Sequence, residues 1–233
     1  MYKESFLMAW ASLIANKLRS LLTMLGIIIG VAAVIALVSI GNGVKQDIED
    51  SISSLGSNLL VVLPGAPRTP GARSSQGSMK SLKISDYEAI AKLEGVKAAS
   101  PMTNGSYVVI YQNKNWTTSV AGVNSNFQDV NNWTMTSGRF FSDKNVQNRE
   151  RVAVVGQTVV KNLFADEDPV GKEIRVKNIP FRVIGVLKSK GNGTMGNDQD
   201  DTVLIPYTTS MERVEGIDYL RRVYVVAKDD GGI

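Results

Sequence analysis

The chain has 233 residues, of which 43% are hydrophobic and 21% are charged, and its formal net charge is +4. These proportions are typical of a folded globular protein and exclude a disordered chain. The basic residues are not gathered into a stripe with interleaved aromatic residues, so nucleic acid is not an expected partner.

Cysteine and histidine are both absent from the chain. Without cysteine a domain has no disulfides and no thiolate metal ligands, and without histidine it lacks the usual general base and the commonest zinc ligand. Carboxylates, lysines and tyrosines remain for proton transfer. We therefore expect a protein that is not an enzyme, with no catalytic residue, no cofactor and no metal site.

Residues 1–20 predict an amphipathic helix that lies in the cytoplasmic interface of a membrane. Apolar side chains recur on one face at helical intervals, and a tryptophan with nearby basic residues is typical of the headgroup region. A helix packed in a soluble core is the alternative. The predicted interfacial residues are Phe6, Trp10, Leu13, Ile14, Lys17 and Arg19.

Residues 21–40, LLTMLGIIIGVAAVIALVSI, predict a transmembrane helix without charge or proline. At about 1.5 Å per residue, roughly 20 apolar residues cross a hydrocarbon core about 30 Å thick. A cleaved signal peptide and a buried core helix are the alternatives, but a signal peptide has a shorter apolar run and a small-residue cleavage site. The predicted span therefore divides the chain between two compartments.

The basic residues near the span predict its orientation. Lys3, Lys17 and Arg19 precede the span, whereas Lys45 alone follows it before Leu60. Because lysine and arginine are retained on the cytoplasmic side, we expect a cytoplasmic N-terminus and an extracytoplasmic remainder in the inner (cell) membrane.

Small residues inside the span predict a face on which another helix packs. Gly26 and Gly30 form a GxxxG pair, and Ala33 extends the same face by a further turn. Such a face lets two helices approach closely in lipid, although glycine is also common in membrane helices for other reasons.

The chain beyond the span predicts an α+β domain in two parts. We expect a helical stalk over residues 41–56, which glycines at 41 and 43 could bend and Gly56 would end, and then a buried strand at residues 58–63. A helix at residues 86–93, capped by Ser85 and Glu88, precedes strands at residues 96–99, 107–112 and 116–123.

From residue 151 onward the patterns indicate a second compact unit. Its predicted elements are a strand VAVVG, a helix at residues 158–164, a DPVG turn, strands EIRVKN, FRVIGVL and TVLIP, a helix at residues 208–214 and a last strand at residues 222–227.

The glycine-rich residues 188–201 contain two patterns that resemble ligand sites. GNGTMG fits a dinucleotide fingerprint literally, but acidic residues and no helix follow it. Asp198, Asp200 and Asp201 lack the spacing of a calcium loop, so we expect a solvated acidic loop. The chain also has no GxxxxGK[ST] motif, so we expect no ATP hydrolysis by this polypeptide.

Four segments together resemble MacB-type permeases of ABC transporters. They are NKLRSLLTMLGIIIGVAAVIAL, VAVVGQTVVKNLFADEDPVGKEIRV, FRVIGVL and TVLIPY. The resemblance implies a porter-like subdomain at residues 57–130, completed by residues 221–233, and an inserted sabre-like subdomain at residues 131–220. It also implies transmission of ATP-driven cytoplasmic motion to an outer domain that handles drug, peptide or lipoprotein cargo.

The partners that the resemblance implies are an ABC ATPase, a second permease copy and a membrane fusion protein. Family members carry four transmembrane helices, so this chain looks truncated after Ile233, and the ATPase is expected on a separate polypeptide. A singly anchored extracytoplasmic binding or sensor domain is the alternative function, and an anchored hydrolase is a third.

Overall fold

The computed structural model describes residues 3–6, 8, 15–55, 59–65, 80–165, 167–193 and 196–228. The chain forms two compact units, Met1–Asp50 and Ser51–Ile233. Both helices and strands are present, which confirms the predicted α+β class.

A single long helix dominates the first unit. Helix α1, Lys17–Leu55, contains the predicted span and continues through the predicted stalk. Gly41 and Gly43 are helical residues within α1. The predicted terminator, Gly56, lies outside the described residues.

The described residues of the second unit form nine strands and several short helices. In chain order these elements are β1 (Leu59–Val62), α2 (Ile84–Ala91), β2 (Val96–Tyr111), β3 (Lys114–Val123), α3 (Phe127–Val130), β4 (Met135–Gly138), α4 (Asp143–Gln147), β5 (Val152–Val155), α5 (Gln157–Leu163), β6 (Glu173–Val176), β7 (Ile179–Leu187), β8 (Thr202–Pro206), α6 (Tyr207–Thr209), a π-helix (Ser210–Glu215) and β9 (Arg222–Ala227).

Strand β2 joins two different sheets. Residues 96–102 of β2 pair with β9, which also pairs with β1, so these strands form a three-stranded antiparallel sheet. Residues 103–111 pair with β3. The expected pair of strands at 96–99 and 107–112 is therefore wrong: one strand of 16 residues runs through both.

Six strands close into a ring. Each strand in the order β2, β3, β8, β5, β7, β6 pairs with the next, and β6 pairs back to β2. One apolar cluster takes side chains from all six strands, including Val109, Val120, Ile174, Phe181 and Val203, so it fills the inside of the ring. Because β2 and β3 belong to this ring, the sheet crosses the predicted boundary between residues 130 and 131.

Two further clusters cover the outside of the ring and the three-stranded sheet. The first takes Phe127, Trp133 and Phe141 from the segments around α3 and β4. The second takes Leu82, Met211 and Leu220 onto one face of β9. These clusters leave the edge of β1 uncovered in the described part of the chain.

Two local predictions near this edge are wrong. Strand β1 is not buried, because Leu60 and Val61 expose about half of their surface at the edge of the sheet. The N-cap of α2 is Lys83, whose backbone N–H donates 2.8 Å to the carboxylate of Asp86, so Ser85 and Glu88 do not form the capping box.

Candidate functional site

The part of helix α1 up to Lys45 presents an apolar surface that is exposed. Its stretch Lys17–Lys45 is 29 residues long, meets the length and composition expected of a membrane span, and is 0% buried. Exposed leucine, isoleucine and valine side chains lie on all sides of this stretch. In water such a surface carries a large unfavourable free energy, whereas hydrocarbon solvates it.

The predicted helix-packing residues are exposed on one face of this stretch. Gly26, Gly30 and Ala33 are four and three residues apart, so at about 100° per residue they lie within a narrow sector of the helix. A Cβ atom built at Gly26 or Gly30 meets no atom within 4 Å. The face is therefore open in the described chain, and its helix partner stays a prediction.

The predicted interfacial residues fall into two groups. Phe6 lies in helical residues near the N-terminus, and Lys17 and Arg19 lie in the first turn of α1; all three are exposed. Trp10, Leu13 and Ile14 lie outside the described residues. Placement of this segment in a lipid interface stays a prediction.

In the second unit, the base of the acidic loop is held by Asp200. This carboxylate is 5% exposed and accepts hydrogen bonds from the backbone N–H groups of Lys190 (2.8 Å) and Gly191 (3.1 Å) and from the hydroxyl of Ser189. The expectation of a solvated acidic loop is wrong at this residue, because Asp200 anchors the loop to the fold.

The neighbouring acidic residues are also occupied by protein donors. Asp198 accepts from the backbone N–H of Asp200 (2.8 Å) and from the hydroxyl of Thr158 (2.6 Å). Asp201 accepts from the indole N–H of Trp116 (2.8 Å). Within the described ranges, no group of acidic side chains is arranged to hold a metal ion.

Lys190 ties the same loop to the segment that follows α3. Its ammonium group donates to the carbonyl of Asn131 at 2.5 Å and lies 4.6 Å from the centre of the Trp133 ring. Burial lowers the pKa of Lys190, and the nearby Asp200 carboxylate partly opposes this shift. No sequence signal relates Lys190 to Trp133, because they lie in segments that only folding brings together.

An open groove of about 350 Å³ lies on the outside of the ring. It is lined by Ile110, Gln112, Glu173, Arg175 and Asn178. Its lining is largely polar, with one carboxylate and one guanidinium at the surface.

A second polar cluster lies where β2 passes from one sheet to the other. The hydroxyls of Thr103 and Ser210 are 2.9 Å apart, and Ser210 donates to Glu215 at 3.1 Å. Thr103 and Ser210 are essentially buried. No pattern in the sequence marks these residues as a buried cluster, since serine, threonine and glutamate are ordinarily surface residues.

Comparison with known proteins places these features in a family. The family described as "MacB-like periplasmic core domain" matches residues 20–231. The macrolide export ATP-binding/permease protein MacB of Chlorobium luteolum is 40% identical over 226 residues, which cover 97% of this chain and 34% of that protein. The protein of the same name from Rhodospirillum rubrum is 44% identical over 230 residues, with coverages of 98% and 35%.

The chain thus spans about a third of the length of these curated relatives. Among solved structures, the periplasmic region of MacB from Actinobacillus actinomycetemcomitans matches with a TM-score of 0.66 and 28% identity, over 77% of this chain and 78% of that one. The extracellular domain of the ABC-type transporter YknZ from Gram-positive bacteria shares the fold, with a TM-score of 0.61 and 20% identity over 75% and 86% of the chains.

The family match covers all of α1 except its first three residues, together with all nine strands, and the structural neighbours share this fold. The relatives are transporter permeases, in agreement with the resemblance carried by the sequence segments. The chain belongs to the family of MacB-like periplasmic core domains.

Proposed function

We propose that the chain supplies the first transmembrane helix and the outer domain of a MacB-like ABC transporter permease. In this proposal α1 crosses the membrane with its N-terminus in the cytoplasm, and the second unit lies outside. Support comes from the exposed apolar surface of Lys17–Lys45 and from the excess of Lys3, Lys17 and Arg19 on the N-terminal side.

The function that we propose for this helix is the transmission of force. The observation that carries the proposal is the continuity of α1, which extends beyond Lys45 to Leu55 without a break, while β1 begins at Leu59. A hydrogen-bonded helix keeps its length, so axial or tilting motion at one end reaches the other. ATP-driven closure of cytoplasmic subunits would in this way move the outer domain.

We propose several partners for this permease. The 233 residues contain no GxxxxGK[ST] motif, and the proposed source of ATP hydrolysis is an ABC ATPase on a separate polypeptide. The face of Gly26, Gly30 and Ala33 is assigned to a second permease copy, and the outer domain to a membrane fusion protein and to drug, peptide or lipoprotein cargo. The names of the relatives support macrolides as the first cargo to test.

We also propose a division of labour in the outer domain. The porter-like part comprises residues 57–130 and 221–233, and the sabre-like part comprises residues 131–220. The pairing of β1, β2 and β9 supports the first part. Strands β2 and β3 then serve both parts, since they also belong to the ring.

Orientation is tested with single cysteines, because these 233 residues contain none. Lys3→Cys and Lys92→Cys place one thiol at an exposed residue before and after the span. A membrane-impermeant maleimide added to intact cells should label Lys92→Cys alone, and both variants should be labelled after lysis. Labelling of Lys3→Cys alone in intact cells contradicts the proposed orientation.

Transport is tested with a chimera. The matched third of the Chlorobium luteolum relative is replaced by this chain, and macrolide resistance of cells is compared with that of the parent and of a chimera with an inactivated ATPase. Resistance that depends on the ATPase supports the permease function. In a second outcome the chimera inserts and assembles, but its rate of ATP hydrolysis does not change when the outer domain is altered. This outcome favours the alternative function, a singly anchored binding or sensor domain.

A further inference from the structure

In the part of the chain that the structure describes, two chain connections join the three-stranded sheet to the ring. The first is β2 itself, whose residue 102 is the last to pair with β9 and whose residue 103 is the first to pair with β3. The second is the crossover segment, residues 207–221, which leads from β8 in the ring to β9 in the sheet. Any motion between the two parts must therefore bend or displace these connections.

Both connections meet at one buried point. Thr103, on β2, is 0% exposed, and Ser210, in the crossover segment, is 1% exposed. Their hydroxyl oxygens are 2.9 Å apart. Because the single hydroxyl hydrogen of Ser210 is donated to Glu215 at 3.1 Å, Thr103 must be the donor to Ser210. The hydrogen bonds thus run in one direction and end on a carboxylate.

The carboxylate at the end of this chain of bonds is deeply buried. The Glu215 side chain is 2% exposed, and its second oxygen lies 3.5 Å from a terminal guanidinium nitrogen of Arg221, which is 42% exposed. That oxygen has no hydrogen-bond partner among the described residues. Burying an incompletely bonded carboxylate is costly, so stability alone does not account for this arrangement.

The backbone is shaped to permit the contact. Ser210 and Glu215 are the first and last residues of the π-helix, whose hydrogen-bond pattern brings residues five apart onto one side. The helix ends at Gly216, which has a left-handed φ of 66°. On the facing strand, a Cβ atom at Gly122 would lie closer than 3.0 Å to both Ser210 and Thr103. Only glycine there lets the π-helix rest on the sheet.

A backbone bond fixes the other end of the crossover segment at the same place. The N–H of Arg221 donates 3.0 Å to the carbonyl of Met102, the residue that precedes Thr103. The crossover segment is therefore held to β2 on both sides of the point where β2 changes its partner strand.

We propose that Thr103, Ser210, Glu215 and Arg221 form a junction latch, which locks the crossover segment to β2 and makes the three-stranded sheet and the ring move as one body. The latch as a conformational device depends only on the fold. Its use in transport rests on the proposed function, because a rigid outer domain would pass on the motion of α1 without absorbing it.

The latch is tested first by amide hydrogen exchange of the full chain in detergent micelles. Ser210→Ala removes the central hydroxyl, and Glu215→Gln replaces the carboxylate with an isosteric amide. Both should raise exchange in residues 207–221 by about tenfold while β5 stays within about twofold of the native chain, since local opening exposes one region only. Glu212→Gln is the matched control, because Glu212 lies in the same π-helix but pairs with Arg149 at the surface.

Unchanged exchange in residues 207–221, or an equal rise in β5, overturns the latch. The second result would mean that the residues stabilise the whole fold and do not control one junction. The two variants remove different groups, so the failure of one to fold leaves the other to decide.

A reversible lock supplies the second test. Thr103→Cys combined with Ser210→Cys places two thiols at the positions of the two hydroxyls, in a chain that has no other cysteine. Oxidation should return exchange in residues 207–221 to the native level, and the transport chimera should still confer resistance when oxidised. Loss of resistance on oxidation alone means that the junction opens during the cycle, and it overturns the proposal. A native chimera without any resistance contradicts the proposed function, and the exchange data still decide the latch.

Discussion

The ammonium group of Lys190 lies 4.6 Å from the centre of the Trp133 ring and also donates a hydrogen bond of 2.5 Å to the carbonyl of Asn131. One lysine therefore joins the glycine-rich loop to the segment between α3 and β4. The carboxylate of Asp200 holds the first turn of the same loop. Lys190 and Asp200 therefore fix the loop through two separate sets of contacts.

Removing the charge of Lys190 should loosen this loop. Lys190→Met keeps an unbranched side chain but loses the contact with the ring and the hydrogen bond, at an expected cost of about 1 kcal/mol in the free energy of unfolding. Urea denaturation measures the cost. Lys188→Met is the matched control, since Lys188 is exposed and only two residues away. Equal effects of the two substitutions would contradict the role of Lys190.

Replacing the buried Asp200 should destabilise the fold more strongly. In Asp200→Asn one acceptor oxygen becomes a donor that faces other donors, so we expect a loss of about 2 kcal/mol. In Asp201→Asn the side-chain oxygen can still accept from Trp116, and we expect a change within about 0.5 kcal/mol. Urea denaturation of both variants checks the difference, and a smaller loss in Asp200→Asn than in Asp201→Asn would refute it.

Gly156 should tolerate no larger residue. A Cβ atom there would lie closer than 3.0 Å to the backbone carbonyl of Asp200, and a backbone atom cannot move aside as a flexible side chain can. Gly156→Ala is expected to cost about 3 kcal/mol, the upper part of the range for overpacked sites. Gly95→Ala is the control, because a Cβ at Gly95 meets nothing within 4 Å. Thermal denaturation measures both, and similar melting temperatures would count against the close contact.

A bulky residue on the glycine face should weaken pairing of two copies of α1. Leu37 lies seven residues after Gly30 on the same face of the helix. The variant Leu37→Cys therefore reports association of two copies through disulfide formation in membranes. Adding Gly30→Leu should reduce the yield of cross-linked dimer about fivefold, which corresponds to roughly 1 kcal/mol. Adding Ala32→Leu, which enlarges a small residue on a different face, should leave the yield unchanged. Equal yields would remove the support for this packing face.

The outer domain should lose stability at alkaline pH through two tyrosines. Burial raises the pKa of Tyr87 above its ordinary value of 10.0, an effect that Asn124 opposes and Asp143 and Glu88 reinforce. Burial likewise raises the pKa of Tyr207, whose ring centre lies 6.3 Å from that of Tyr87.

The direction of this pH effect on stability follows from proton binding in the folded and unfolded states. The folded state keeps the phenol protons at pH values where the unfolded state has released them, so this stabilisation is present below pH 10 and is lost as the pH rises through the folded pKa values. The urea concentration at the unfolding midpoint should be measured between pH 8 and pH 11. With rising pH it should fall less steeply in the double variant Tyr87→Phe and Tyr207→Phe than in the native chain. The comparison with the native chain cancels the contribution of all other groups, and an unchanged slope would rule out these two residues as the cause.

The family, the α+β class and most strands of the second unit were accessible from the sequence. Strands VAVVG, FRVIGVL and TVLIP are short apolar runs whose character depends on neighbouring residues only, and the last strand was predicted at its observed bounds. The apolar length of residues 21–40 likewise marks a span by local composition. Such features can be recognised without knowing which other segments of the chain pack against them.

Only the tertiary structure decided how these pieces combine. It merged two predicted strands into β2, closed six strands into a ring, placed β1 at an exposed edge and buried the carboxylates of Asp200 and Glu215. Thr103 and Ser210 are 107 residues apart in the chain, and nothing near either one shows that it will be buried. Burial and partnership depend on contacts between distant segments, whereas periodicity and hydrophobic length are properties of each segment alone.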